Sequence, residues 1–119
     1  VILCGCCDIC NSKTVRSAMG SIMRVEAVTD DIENAVREMK LKGLPVFAAV
    51  ISDTAHSLTD CDFTNGGAVM IGNEGNGLSD RDAALADIPL TIKMHGTINS
   101  LNAAMAAGII MWELSKTSE

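Results

Sequence analysis

Two stretches of the chain concentrate residue types that hold and orient a small ligand. Residues 69–78 (VMIGNEGNGL) pass from an apolar run into a glycine-rich loop. Residues 90–102 (LTIKMHGTINSLN) pass from a second apolar run into a loop of amides and a hydroxyl that opens a helical pattern. Glycines after a strand let the main chain approach a ligand closely. Two strand ends that each carry such a loop can wall one pocket. Glu74 is the acidic side chain inside the first loop, and it reads either as a cap on nearby backbone N–H groups or as a pocket carboxylate. In the second loop, capping of the helix accounts for Asn99 or Ser100 and does not require Asn102.

Other chemistries fit less well. The first loop reads G-x-x-G-x-G from Gly72 through Gly75 to Gly77, which is neither a Walker loop nor a dinucleotide fingerprint. Four of the five cysteines crowd into residues 4–10 (CGCCDIC), and Cys7-x-x-Cys10 has the spacing of a zinc, iron–sulfur or redox pair. No second pair follows, and His56 and His95 are isolated, so the expectation is thiols without a metal. An odd cysteine count with no secretory signal fits a reducing cytosol and a cytoplasmic protein.

The elements that position the two loops alternate. Residues 1–4 and 45–52 read as buried strands, as do 67–71 and 90–94. Asn11 or Ser12 opens a helix to Met19, and Gly20 ends it. Thr29 or Asp30 caps a helix over residues 31–42, with Ile32, Ala35, Val36 and Met39 on one face. Ser79 caps a short helix, Asp87 and Pro89 break it, and residues 100–116 form the last helix. Residues 53–65 read as a loop with at most a short strand. The pattern predicts a single α/β domain with a mainly parallel sheet.

Charge limits the partners. The net charge is −6, and residues 44–119 hold nine acidic against three basic side chains. Residues 1–43 balance at six of each. Lys13, Arg16 and Arg24 form a local basic group through which RNA contact is possible, although a protein gripping many phosphates carries more cations. No apolar run is long enough for a transmembrane helix.

Together the two loops resemble the second and third motifs of the SpoU (TrmH) family of RNA 2′-O-ribose methyltransferases. Residues 11–20 (NSKTVRSAMG) are similar to the family stretch that precedes them. The resemblance implies a SPOUT-type fold with a C-terminal trefoil knot, a homodimer, and S-adenosyl-L-methionine bound between the motif loops. It assigns cofactor contacts to Gly72, Ile92 and Leu101, with Asn73, Gly75 and Met94 lining the pocket. It assigns the reacting site to Glu74, Ser100 and Asn102. The implied reaction is methyl transfer to a ribose 2′-OH of tRNA or rRNA, with Lys13, Arg16 and Arg24 as RNA contacts. Two departures stand out. Lys93 occupies a position where the family usually has proline. The family's first motif, with its catalytic arginine, is expected upstream of Val1, so the chain reads as an N-terminally truncated, poorly active catalytic domain. The alternative is a non-catalytic knotted module for cofactor or RNA binding or for dimerisation.

Overall fold

The computed structural model describes residues 1–96 and 100–116. The chain forms two compact units, residues 1–35 and 36–119. In the first unit, β1 (Ile2–Leu3) pairs in parallel with β2 (Val28–Thr29). Between them lies α1 (Ser12–Ser17), capped by the Asn11 side chain, which accepts from the Lys13 N–H at 2.9 Å. Gly20 follows with φ 83°, a left-handed turn that suits glycine.

Helix α2 (Ile32–Leu41) runs across the boundary between the units. Its cap is Asp31, one residue later than the sequence suggests: the carboxylate accepts from the Asn34 N–H at 2.8 Å. Ala35 and Val36 are buried and Met39 is half-buried, the face that the apolar spacing marks.

The second unit is built on a four-stranded sheet in the order β4-β6-β3-β5: β3 (Val46–Ala49), β4 (His56–Ser57), β5 (Ala68–Met70) and β6 (Ile88–Thr91). All its pairings are parallel. Phe47, Leu58, Phe63, Leu90 and Ile110 form the core, and the rings of Phe47 and Phe63 pack tilted with centroids 4.8 Å apart. Ile110 comes from the last helix, α4 (Ala103–Lys116); the short α3 (Asp80–Ala83) follows β5. A Cβ on Gly67 would lie 2.9 Å from the Phe47 ring, so glycine there lets the chain entering β5 lie on the core.

Several boundaries differ from the sequence pattern: β3 stops at Ala49 rather than at residue 52, leaving Ile51 exposed, and β6 stops at Thr91 rather than at residue 94. Strand β6 starts at Ile88 and contains Pro89, a residue expected to precede it. Pairing with β4 begins only at Leu90, so at Pro89 the strand has one ladder neighbour and tolerates a residue without an N–H. Helix α4 begins at Ala103, three residues late, for the reason given below. Among the described residues, no helix is long and apolar enough to cross a membrane.

Candidate functional site

Because the sheet is parallel, β3, β5 and β6 all end at one edge. Each then runs into a loop. A parallel α/β sheet gathers ligands at this edge. The three loops and the start of α4 enclose a cleft of about 840 Å³. That volume suits a ligand of nucleoside size or larger.

The loop after β5 is closed by its own backbone. A Cβ on Gly72 would lie 2.0 Å from the Gly77 carbonyl carbon and 2.2 Å from the Leu78 nitrogen, so only glycine fits. Asn73 fixes the turn. Its side-chain oxygen accepts from the N–H of Gly75 at 2.9 Å and of Asn76 at 2.8 Å, and its carbonyl accepts from the Gly77 N–H at 2.9 Å. Asn73, and not Glu74, is therefore the loop's cap. Glu74 is exposed, lines the cleft and makes no hydrogen bond or ion pair with the described residues.

The loop after β6 brings Ile92, Met94, Ser100 and Leu101 to the same cleft. Ile92, Met94 and Leu101 are half-buried, and Lys93 and His95 between and beside them are exposed. Asn102 takes the helix-cap role that sequence reasoning gave to Asn99 or Ser100. Its side-chain oxygen accepts from the Met105 N–H at 2.8 Å, and its carbonyl from the Ala106 N–H at 3.0 Å. That cap sets the late start of α4. Asn102 is not among the cleft-lining residues, and Asn99 lies outside the described residues.

The third wall is one the sequence did not reveal. Residues 49–53, at the end of β3 and just beyond, line the cleft and carry no recognisable motif. The Ser52 and Thr54 hydroxyls lie 2.9 Å apart, and the Thr54 N–H donates to Ser52 Oγ at 3.2 Å. This turn presents the exposed carboxylate of Asp53. Only the placement of β3 between β5 and β6 brings these residues to the site.

The cleft thus combines an apolar wall, closely approaching backbone and three carboxylates, Asp53, Glu74 and Asp80, with Lys93 and His95. S-Adenosyl-L-methionine fits that set. It has an apolar stem, a ribose with hydroxyls and a net positive charge, and the Gly72 turn is the kind of cradle that a side chain would fill. Lys13, Arg16 and Arg24 belong to the first unit, where all three are exposed. The exposed thiols of Cys6 and Cys7 make only weak contacts, 3.7 Å to the Cys4 carbonyl and 3.8 Å to the Thr14 hydroxyl. No three His, Cys, Asp or Glu side chains among the described residues converge as metal ligands.

Comparison with known proteins places these features in a lineage. Residues 1–112 match the SpoU rRNA Methylase family. The 23S rRNA (guanosine(2553)-2′-O)-methyltransferase RlmP of Bacillus subtilis is 34% identical over 113 residues, covering 92% of this chain and 44% of the relative. A tRNA (guanosine(18)-2′-O)-methyltransferase of Thermus thermophilus is 35% identical over 89 residues, covering 75% of this chain and 46% of the relative. The chain therefore spans under half the length of these curated relatives. Among solved structures, the SpoU methyltransferase AviRb from Streptomyces viridochromogenes in complex with AdoMet superposes with a TM-score of 0.83 at 30% identity, over 98% of this chain and 46% of that one.

Proposed function

The chain belongs to the SpoU rRNA methylase family, and from that membership we propose that its 119 residues form the S-adenosyl-L-methionine-binding part of an RNA 2′-O-ribose methyltransferase acting on tRNA or rRNA. The observation that carries the reading is the convergence of both motif loops on one cleft, where Gly72 is held in a turn that admits no side chain.

When bound, S-adenosyl-L-methionine supplies an electrophilic methyl group on a sulfonium sulfur. The chain's own residues bind and orient. Gly72, Asn73 and Gly75 offer main chain at close range, and Ile92, Met94 and Leu101 form the apolar wall that excludes water. Glu74 and Ser100 face the cleft on the side left for the acceptor ribose. Asn102 acts by fixing the start of α4 and with it the position of Leu101. Alignment of donor and acceptor alone can supply several powers of ten in rate. Among the described residues no arginine lines the cleft, so none of its residues is assigned the removal of the ribose proton. These residues alone are expected to bind the cofactor and to turn over little.

The family resemblance further supports a C-terminal trefoil knot and a homodimer. Helix α4 leaves Met105, Ile109 and Trp112 exposed at i, i+4, i+7 spacing, and an apolar face of this kind favours a second copy. Lys13, Arg16 and Arg24 supply the RNA contacts of the first unit, and the exposed thiols of Cys6, Cys7 and Cys10 favour a cytoplasmic setting. A second reading, a non-catalytic cofactor-binding or dimerisation module, draws on the lack of arginine among the described cleft residues. Robust methyl transfer to transcribed tRNA or rRNA by the chain would remove this second reading.

The cofactor reading is tested by backbone NMR during titration with S-adenosylhomocysteine. The amide resonances of Gly72, Gly75, Met94 and Leu101 are expected to move together. Movement confined to other residues would refute the assigned site.

A further inference from the structure

We propose that Lys93 is a phosphate contact for the acceptor RNA at the mouth of the cleft, an inference that rests on the methyltransferase reading above. Lys93 sits between Ile92 and Met94, which are half-buried, while its own side chain is exposed and lines the cleft. Its ammonium makes no ion pair or hydrogen bond with the described residues.

The charges around it decide what it meets. Asp53, Glu74 and Asp80 line the same cleft. They suit S-adenosyl-L-methionine, whose ammonium and sulfonium outweigh its one carboxylate. They repel a polyanion, so an RNA strand that brings its ribose to the bound methyl group needs a cation at the opening. Residues 36–119 contain six candidates, Arg37, Lys40, Lys42, Arg81, Lys93 and Lys116, and among the described residues only Lys93 lines the cleft. Lys116 is held by Glu113 at 2.9 Å on α4, and Arg81 does not line the cleft. Lys93 is left, a point charge on a long flexible stem that reaches a phosphate without demanding one geometry. His95, exposed two residues along, also lines the cleft and adds a hydrogen-bond donor there.

The test uses the full chain loaded with S-adenosylhomocysteine and a short fluorescent single-stranded RNA of mixed sequence, with affinity measured against salt concentration. Lys93→Gln is expected to weaken RNA binding roughly five- to tenfold at low salt and to flatten the salt slope by about 0.7, the loss of one phosphate contact. Lys93→Arg is expected to keep both, and melting temperature and S-adenosylhomocysteine affinity are expected to match across the three proteins. An unchanged slope in Lys93→Gln overturns the inference, as does failure of the wild type to bind RNA at low salt. A fall in S-adenosylhomocysteine affinity that is absent with methylthioadenosine, which lacks the carboxylate, also overturns it, by assigning Lys93 to the cofactor. Failure of every protein to bind S-adenosylhomocysteine would instead remove the methyltransferase reading itself.

Discussion

Gly72 carries the tightest constraint at the level of single residues. The atoms a Cβ would strike belong to the backbone of Gly77 and Leu78, which cannot rotate away as a side chain would. Gly72→Ala must therefore open the loop, at a cost of about 1–3 kcal/mol. The expected outcome is a lower melting temperature and at least about a tenfold loss of S-adenosylhomocysteine affinity, or about 1.4 kcal/mol. Retained affinity would show that the loop does not need its closed form to bind. Asn73 and Glu74 make a sharper comparison. The motif spelled out both residues, but it gave no means of telling which one organised the turn and which faced the ligand. The hydrogen bonds assign the turn to Asn73, because an Asn side chain reaches backbone two and three residues ahead. Asn73→Ala is expected to destabilise the loop by about 1–2 kcal/mol. Glu74→Gln is expected to leave stability unchanged, a contrast that denaturant titration resolves.

Each helix and strand shows where sequence signals are strong and where they fail. Asn11 and Ser79 were readable as caps because a polar residue precedes a helical pattern, and both side chains accept a first-turn N–H. Helix α4 starts three residues beyond the point its sequence suggests, because Asn99, Ser100 and Asn102 are all capping types and the pattern does not choose among them. Removing the cap that the structure selects, by Asn102→Ala, is expected to cost about 1 kcal/mol, with Asn102→Asp retaining most of it. The link between α2, β3 and β6 was not legible at all. Asp87 joins them: its Oδ2 accepts from the Val46 N–H at 2.9 Å and its Oδ1 lies 2.9 Å from Lys40 Nζ. The Val46 bond first, and Lys40 second, hold its carboxyl below the ordinary value of 3.8. A carboxyl whose pKa is lowered by folding stabilises the fold above its unfolded pKa, and the contribution is lost as pH falls below that range. Both side chains are about two-fifths exposed, so water screens the pair. The expected contribution is about 1 kcal/mol. Asp87→Asn should lower stability at neutral pH and flatten its decline between neutral and strongly acid conditions. An identical pH profile in the variant would remove Asp87 from that account.

For the molecule as a whole, fold class was legible because four apolar runs alternate with helical patterns, and the sheet of residues 36–119 is parallel throughout. The β3 wall of the cleft was not, because strand order is a property of the folded chain. Residues 49–53 carry no motif and reach the site only through the position of β3 between β5 and β6. The exposed face of α4 bears on assembly. Met105 and Trp112, one above the other on that face, are each more than half exposed, at 58% and 67%. The proposed homodimer is expected to appear in sedimentation at micromolar concentration, and Trp112→Glu is expected to shift it to monomer while the cleft still binds cofactor. The cleft at the end of β3, β5 and β6 is the proposed seat of S-adenosyl-L-methionine. Leu101 lines that cleft half-buried, where a carboxylate would be desolvated against an apolar wall. Isothermal titration of the wild type and of folded Leu101→Asp with S-adenosyl-L-methionine is the direct measurement. Saturable one-site binding to the wild type is expected, with at least about a tenfold weaker affinity in the variant. No binding to the wild type, or equal affinity in the two proteins, would contradict that seat.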